Sequence, residues 1–351
     1  MINTPINDKI NNLNNLITGQ SLFYIHKIGE FKGKQIIYNN QQPEYLNKLQ
    51  LSAITDNAIA SNSIDNISIS SKRFKELFEE ISSPENSVES EVIRYVKVLN
   101  LINSHYESIT ISPEIMLQFH RNLFRYKPEQ GGNWKTELKN IERRNDNGSI
   151  KIVFVPLEPE KTPERIANIC SKYNKLIKQN DTIDLLVIAT FIFDFLCIQP
   201  FENGNGRLAR LLTQLLLYQN NYQVAKYISL DKITLNNKQK YFEALEKSSQ
   251  KWHQEENDLS SWIEFFLANI LEGYTKLDNQ MFDIKNKKGA KSQQVKMIIE
   301  QLPSKFKVAD IADKCPGISR PTINKVLQEL RDTNEIKPCS LGRDAIWQKN
   351  S

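Results

Sequence analysis

Apolar residues recur with helical spacing along most of this chain, and the pattern predicts a mainly α-helical protein. Leu51, Ile54, Ala58 and Ile59 place one helix over 46–61, followed by the turn formers of the run SNSIDN. Further helices are predicted over 71–81 and 90–104, the second with Val92 one turn from Val96. Ser112-Pro113-Glu114 starts another, with Ser as N-cap and Pro in the first turn, running through Met116 and His120 to Phe124. The first 45 or so residues are less regular. They are polar with scattered aromatics (Phe23, Tyr24, Phe31, Tyr38, Tyr45) and read as loops and short helices packed on a neighbour.

Between 126 and 149 the helical pattern lapses at Pro128, Gly131, Gly132, Asn147 and Gly148. Lys151, Ile152, Val153, Phe154 and Val155 form the best strand candidate, and the Asn147-Gly148 turn signal before them predicts a short hairpin. Helical spacing resumes at Thr162-Pro163-Glu164 and predicts helices over 182–198, 207–219, 238–250 and 260–276. The basic, polar run KNKKGAKS at 285–292 reads as a linker. Beyond it come helices over 295–302 and 308–314, a turn at Pro316-Gly317 and a Ser319-capped helix over 320–333. Two short strands within 336–347 around Leu341-Gly342 complete the order of a winged helix-turn-helix.

At 351 residues, two or three domains of roughly 100–200 residues each are expected. The net charge of +5 is too small to require nucleic acid or membrane as a partner. The N-terminus lacks a secretory pattern, and the longest apolar stretch, 185–198, is interrupted by Asp194 and too short to span a bilayer. The expectation is a soluble, cytoplasmic protein without a membrane partner. Cys170, Cys197, Cys315 and Cys339 are scattered, as are His26, His105, His120 and His253, so neither a disulfide framework nor a zinc site is expected.

The sharpest signal is the run QPFENGNGRLAR at 199–210. Gly204 and Gly206 bracket Asn205, which lets backbone N–H groups turn toward an anion. The residues after them are strongly helical, so the loop feeds a helix N-terminus where free N–H groups and the dipole favour a phosphate. Arg207 and Arg210 share one helix face and offer forked bonds to phosphate oxygens.

This run resembles the signature of the Fic (Fido) family, HPFx(D/E)GNGRxxR. The similarity continues into DFLCI before it and into LLTQLLLYQ, YISLDKI and YFEALEKSSQKWH after it, covering about 120–276. Within the family it looks closest to the bacterial group with an N-terminal inhibitory helix and a C-terminal winged helix. The resemblance implies a helical Fic core with a small β-hairpin flap. It divides the chain into an N-terminal helical region (1–105), a Fic domain (106–280), a linker (281–292) and a winged helix (293–351). It also implies transfer of AMP from ATP to a hydroxyl side chain of a target protein, with Mg²⁺ on the phosphates.

Carried over by position, Gly204, Asn205, Gly206, Arg207 and Arg210 match the family's phosphate cradle, and Tyr241 falls where a tyrosine often lines the nucleoside pocket. Two positions depart. Gln199 stands where the family has its catalytic histidine, and an amide does not take up a proton near neutral pH. Asn203 stands at the metal position and offers Mg²⁺ an uncharged oxygen.

Ser61 to Asn66 resembles the family's inhibitory motif, (S/T)xxxE(G/N), in which a glutamate pairs with the second arginine. Here the acid is Asp65, one methylene shorter. The strand 151–155 lies at the spacing of the family's flap, which docks an extended target segment by backbone hydrogen bonds. In the C-terminal module, 291–351 carry eleven Lys and Arg against seven Asp and Glu. Arg320, Thr322, Asn324 and Lys325 open the recognition-helix candidate, and Arg343 sits on the wing candidate; these residue types suit DNA contacts. Two readings stand at this point. One is a protein adenylyltransferase weakened or silenced by Gln199. The other is a non-enzymatic regulator that binds nucleotide through the Fic core and DNA through the winged helix.

Overall fold

The structure, a computed structural model, describes residues 17–144, 148–179, 182–286, 290–315, 317–340 and 345–350. They divide into two compact units between Leu277 and Asp278.

The first unit opens with two long helices, α1 (Gly19–Gln41) and α2 (Pro43–Ile64), where the hydrophobic pattern predicted loops and short helices up to residue 45. Thr18 caps α1 by accepting the Ser21 N–H at 3.0 Å, and Pro43 occupies the first turn of α2. The missed helix docks through few apolar side chains, the fully buried Ile28 and, stacked on Tyr274, Phe31, with polar residues filling the positions between. The buried Gln35 amide donates to the Asn221 carbonyl at 2.7 Å, and its oxygen accepts from the Tyr274 hydroxyl at 2.8 Å.

Helices α3 (Ser71–Phe78), α4 (Ser87–His105) and α5 (Pro113–Leu123) follow. They are capped by Ser70, Asn86 and Ser112, each accepting an N–H from the first turn. Strands β1 (Ile141–Arg144) and β2 (Ile150–Phe154) form an antiparallel hairpin with Arg143 opposite Lys151 and Glu142 opposite Ile152. The strand begins one residue before the predicted 151–155, and Val155 lies just past it. Asn147 of the predicted turn is outside the described residues.

Two helices form the centre of this unit, α6 (Thr162–Gln179) preceding them. In α7 (Asp184–Ile198) every residue from Leu185 onward is buried except Asp194. Each large aliphatic or aromatic side chain so buried contributes about 1.5–3 kcal/mol. After the loop 199–204, α8 (Asn205–Gln219) packs back on α7. The short helices α9 (Val224–Tyr227) and α10 (Leu230–Asn236) were not legible in the pattern. The predicted α11 (Lys238–Ser249) and α12 (Ser260–Asn286) complete the set.

The second unit runs α13 (Ala290–Gln301), β3 (Lys305–Lys307), α14 (Val308–Lys314), α15 (Arg320–Asp332), β4 (Ile336–Pro338) and β5 (Ile346–Lys349). The strands make an antiparallel sheet in the order β3-β5-β4. Val295, Ile299, Phe306, Ile311, Ile323, Val326 and Leu327 form its own core. Strand β3 was not anticipated. Within the expected linker, helix continues to Asn286 and begins again at Ala290. Pro316, Leu341, Gly342 and Arg343 lie outside the described residues. Among the described residues no helix is long and apolar enough to cross a membrane.

Candidate functional site

The loop 199–204 is held from several sides. Gln199 ends α7 in the left-handed region (φ 48°, ψ 64°), and its side-chain amide turns back to donate to the Leu196 carbonyl at 2.8 Å. Asn205 closes the loop on itself. Its oxygen accepts the Phe201 N–H at 2.9 Å and its amide donates to the Phe201 carbonyl at 2.7 Å. The Asn205 side chain is therefore committed to the loop's shape, and only its backbone N–H is left to face an anion.

Two residues absent from the sequence reading of the loop complete the clamp. Glu202 accepts the N–H groups of Thr136 (2.8 Å) and Glu137 (3.0 Å) and pairs with Lys139 at 2.7 Å. Partial burial opposes its charge, but Lys139 and the two N–H groups outweigh that and hold its pKa down to about 2. His120, buried on α5, lies flat on the Phe201 ring at 3.8 Å between centroids. Its Nδ1 accepts the Gly132 N–H and its Nε2 donates to the Asn203 carbonyl, both at 3.0 Å. Burial pushes its pKa down to about 4, so the ring is neutral. With both nitrogens engaged, His120 positions the loop and has no nitrogen left to take up a further proton. His253 is also committed. It donates to the Val155 carbonyl at 2.8 Å and stacks on Phe154, anchoring the hairpin.

Gly204 caps α8 from a left-handed conformation (φ 77°) and, having no side chain, offers the helix's first N–H groups no side-chain cap. A Cβ on Gly204 would meet the Phe124 ring at 2.7 Å. One on Gly206 would meet the Asp65 carboxylate at 3.1 Å and Arg210 Nη1 at 3.2 Å. These contacts explain glycine at both positions. They also place the Asp65 carboxylate against the first turn of α8, where an anion is favoured.

The shorter acid reaches Arg210. Asp65 is the C-cap of α2, and its Oδ2 lies 3.0 Å from Arg210 Nη2. Ser61, one turn earlier, accepts from Arg210 Nε with its hydroxyl (2.6 Å) and from Nη2 with its carbonyl (2.8 Å). Ser61 and Asp65 are thus brought together on one arginine. Arg210 is almost fully buried. Burial disfavours its charge, but Asp65, with Tyr241, Asp231 and Tyr95 nearby, more than restores it, and its pKa is raised. Behind it sits Asp231, buried, its carboxylate accepting from the Tyr95 hydroxyl at 2.6 Å. Burial pushes the Asp231 pKa up to about 6 against the opposing pull of Arg210 and Tyr95.

Arg207 is only loosely tied to that pair, its Nε lying 3.7 Å from the Asp65 carboxylate. Its Nη1 is 2.6 Å from Glu91 on α4 and its guanidinium sits over the Phe124 ring. Asn203 is exposed on the loop.

A cleft of 430 Å³ gathers Asp65, Gln199, Gly206, Arg210 and Tyr241 with Val153 and Phe154 of the hairpin. Arg207, Asn203 and Gly204 do not line it. Glu246 at its rim tethers the hairpin through Arg143 (2.6 Å) and Lys151 (3.2 Å), while Ile152 points outward and is exposed. Among the described residues no three His, Cys, Asp or Glu side chains converge to hold a metal. In the second unit Arg320, Asn324 and Lys325 are exposed on α15, Thr322 is half-buried, and Ser319 and Thr322 hydroxyls lie 3.0 Å apart.

Comparison with known proteins agrees with this geometry. The Fic/DOC family model matches residues 110–217. No curated protein matches the chain. Among solved structures, a Fic family protein from Desulfovibrio desulfuricans G20 superposes with a TM-score of 0.63 at 16% identity, covering 95% of this chain and 97% of that one. A Fic domain containing signaling protein from Bacteroides thetaiotaomicron VPI-5482 gives 0.60 at 17% identity, covering 71% and 94%. Fic-1 from C. elegans gives 0.55 at 16%, covering 74% and 72%. At these identities the structures speak for the fold, and the Fic/DOC family model matches a stretch, residues 110–217, that contains the glycine loop.

Proposed function

We propose that the chain binds ATP with its phosphates on the N-terminus of α8, in a Fic-type site built for AMP transfer to a protein hydroxyl but lacking the base that makes transfer fast. The observation that carries this reading is the Asp65 carboxylate, seated between the first turn of α8 and Arg210 as an internal stand-in for a phosphate. A site that accommodates one anion there accommodates another when Asp65 withdraws. Tyr241 and the apolar wall of the cleft supply the nucleoside side, and the hairpin at residues 151–155 supplies an edge for an extended target segment.

In AMP transfer the target hydroxyl oxygen attacks the α-phosphorus, the bond to the β-phosphate oxygen breaks, and the hydroxyl proton must go to an acceptor. Gln199 has no such capacity, its amide already donates to Leu196, and His120 and His253 are engaged elsewhere. The donor set for Mg²⁺ is equally thin. Glu202, the loop's one acid, is committed to Thr136 and Glu137, so of the loop's side chains Asn203 would be the one to offer Mg²⁺ an oxygen, and an uncharged one. Incubation of the unaltered protein with labelled ATP and Mg²⁺ is expected to give no label above background on itself or on lysate proteins. Robust labelling would overturn the loss of transfer.

The second unit favours a regulatory reading beside this one. Its element order and three-stranded sheet fit a winged helix, and α15 offers Arg320, Asn324 and Lys325 to solvent at its start. In this reading Thr322 and Arg343 also contact DNA. A gel shift with genomic fragments is expected to show binding that weakens steeply between about 50 and 200 mM salt. Absence of any shift at the lower salt would remove the DNA reading and leave the nucleotide reading intact.

A further inference from the structure

We infer that Glu91 is a second gate on the phosphate site: it holds Arg207 away from an incoming nucleotide as Asp65 holds Arg210, so that full access requires both arginines to be released. The inference rests on the phosphate-site reading above and adds a residue to it.

Both arginines of the loop helix are buried, and each has a different nearest carboxylate from the N-terminal helices. Arg210 faces Asp65 from the end of α2 at 3.0 Å, and Arg207 faces Glu91 from α4 at 2.6 Å. Asp65 is 3.7 Å from Arg207 Nε, too far for a hydrogen bond, so the shorter acid serves one arginine well and the other poorly. Glu91 supplies the charge that Asp65 does not bring. The Tyr126 hydroxyl donates to Glu91 and steadies it, and the Phe124 ring lies under the guanidinium.

A carboxylate that served only to aim Arg207 would meet its N–H groups in line. Here it does not. Nε and Nη1 of Arg207 are buried without a hydrogen bond in proper alignment, although Nη1 is within ion-pair distance of Glu91. At Nε and Nη1 the pair has charge compensation without bonding complementarity, and a phosphate with oxygens on several sides suits those two donors better. The Glu91 side chain keeps 16% of its surface in solvent, against 5% for Arg207, so the acid has a route outward and the arginine does not. Arg207 is also absent from the lining of the 430 Å³ cleft, as expected for a group still held aside.

The test is calorimetric titration of the full chain with Mg·ATP, comparing wild type, Asp65→Ala, Glu91→Gln and the double variant, with Tyr126→Phe as a milder probe that leaves the charges in place. Glu91→Gln is expected to tighten binding about tenfold by raising the fraction of competent protein. The double variant should bind more tightly than either single one, and Tyr126→Phe should move in the same direction by less. Binding unchanged or weakened in both Glu91→Gln and Tyr126→Phe, while Asp65→Ala tightens it, would overturn the gate and make Glu91 a support for Arg207. No binding by any variant would overturn the gate and the phosphate site together.

Discussion

Gln199→His, made together with Asp65→Ala, is expected to raise AMP transfer from labelled ATP by about 10²–10⁴-fold over Asp65→Ala alone, the usual worth of a positioned general base. The backbone already suits the change. Residue 199 sits at φ 48°, a region in which histidine is enriched among non-glycine residues, whereas glutamine has no such preference. The loop needs no rebuilding either, because Asn205, Glu202 and His120 fix its shape without help from the residue 199 side chain. Loss of the Gln199 bond to the Leu196 carbonyl, a net contribution of about 1 kcal/mol, is the only local cost. Asp65→Ala is included because Arg210 is otherwise held by Asp65 and Ser61. Unchanged background labelling in the double variant, with ATP still bound, would show that more than the base is missing.

Arg210→Ala is expected to cost about 3–5 kcal/mol of folding stability, measured by urea unfolding, because it removes one partner of a buried charge cluster. Asp65 has a path to solvent, with 28% of its side chain exposed, but Asp231 is buried and would lose its nearby cation. The sign of the pH dependence follows. The Asp231 pKa is raised in the folded state to about 6 from an ordinary 3.8. A carboxyl shifted upward binds its proton more tightly when folded, so its charging erodes stability as pH rises toward the folded value. Without Arg210 that value moves higher still. The deficit of Arg210→Ala relative to wild type should therefore grow as pH rises above about 6, and a deficit that shrank over that range would contradict the cluster.

Much of the fold was legible because its central helices carry strong periodicity. The run from Leu185 to Ile198 is buried almost throughout, and Ser112-Pro113 marks a helix start that the structure retains. What stayed hidden lacks an apolar signal. Helix α1 docks through only Ile28 and Phe31 on its apolar side together with the polar Gln35, and α9 and α10 are too short to show a period. At the site, QPFENGNGRLAR revealed the loop, the arginines and the odd Gln199. It did not reveal that the Asn205 side chain closes the loop, or that His120, far off in sequence, stacks on Phe201 and ties Gly132 to Asn203. Nor did it indicate Glu91, Tyr95 or Asp231. They sit on helix faces whose pattern speaks of packing, and their role appears only where the helices bring them to Arg207 and Arg210. The short acid Asp65 was legible as a candidate, while its reach to Arg210 depended on the way α2 ends against α8.

The central claim is that the N-terminus of α8 holds the phosphates of a nucleotide, and the most direct measurement is calorimetry of Mg·ATP binding to Asp65→Ala beside Asp65→Ala with Gly206→Val. The added valine fills the space at residue 206, near Arg210, that the Asp65 carboxylate has left. The account predicts one ATP bound per chain in the first protein and none detectable in the second, with both folded. Equal binding by the two proteins, or no binding by the first at millimolar ATP, would contradict it.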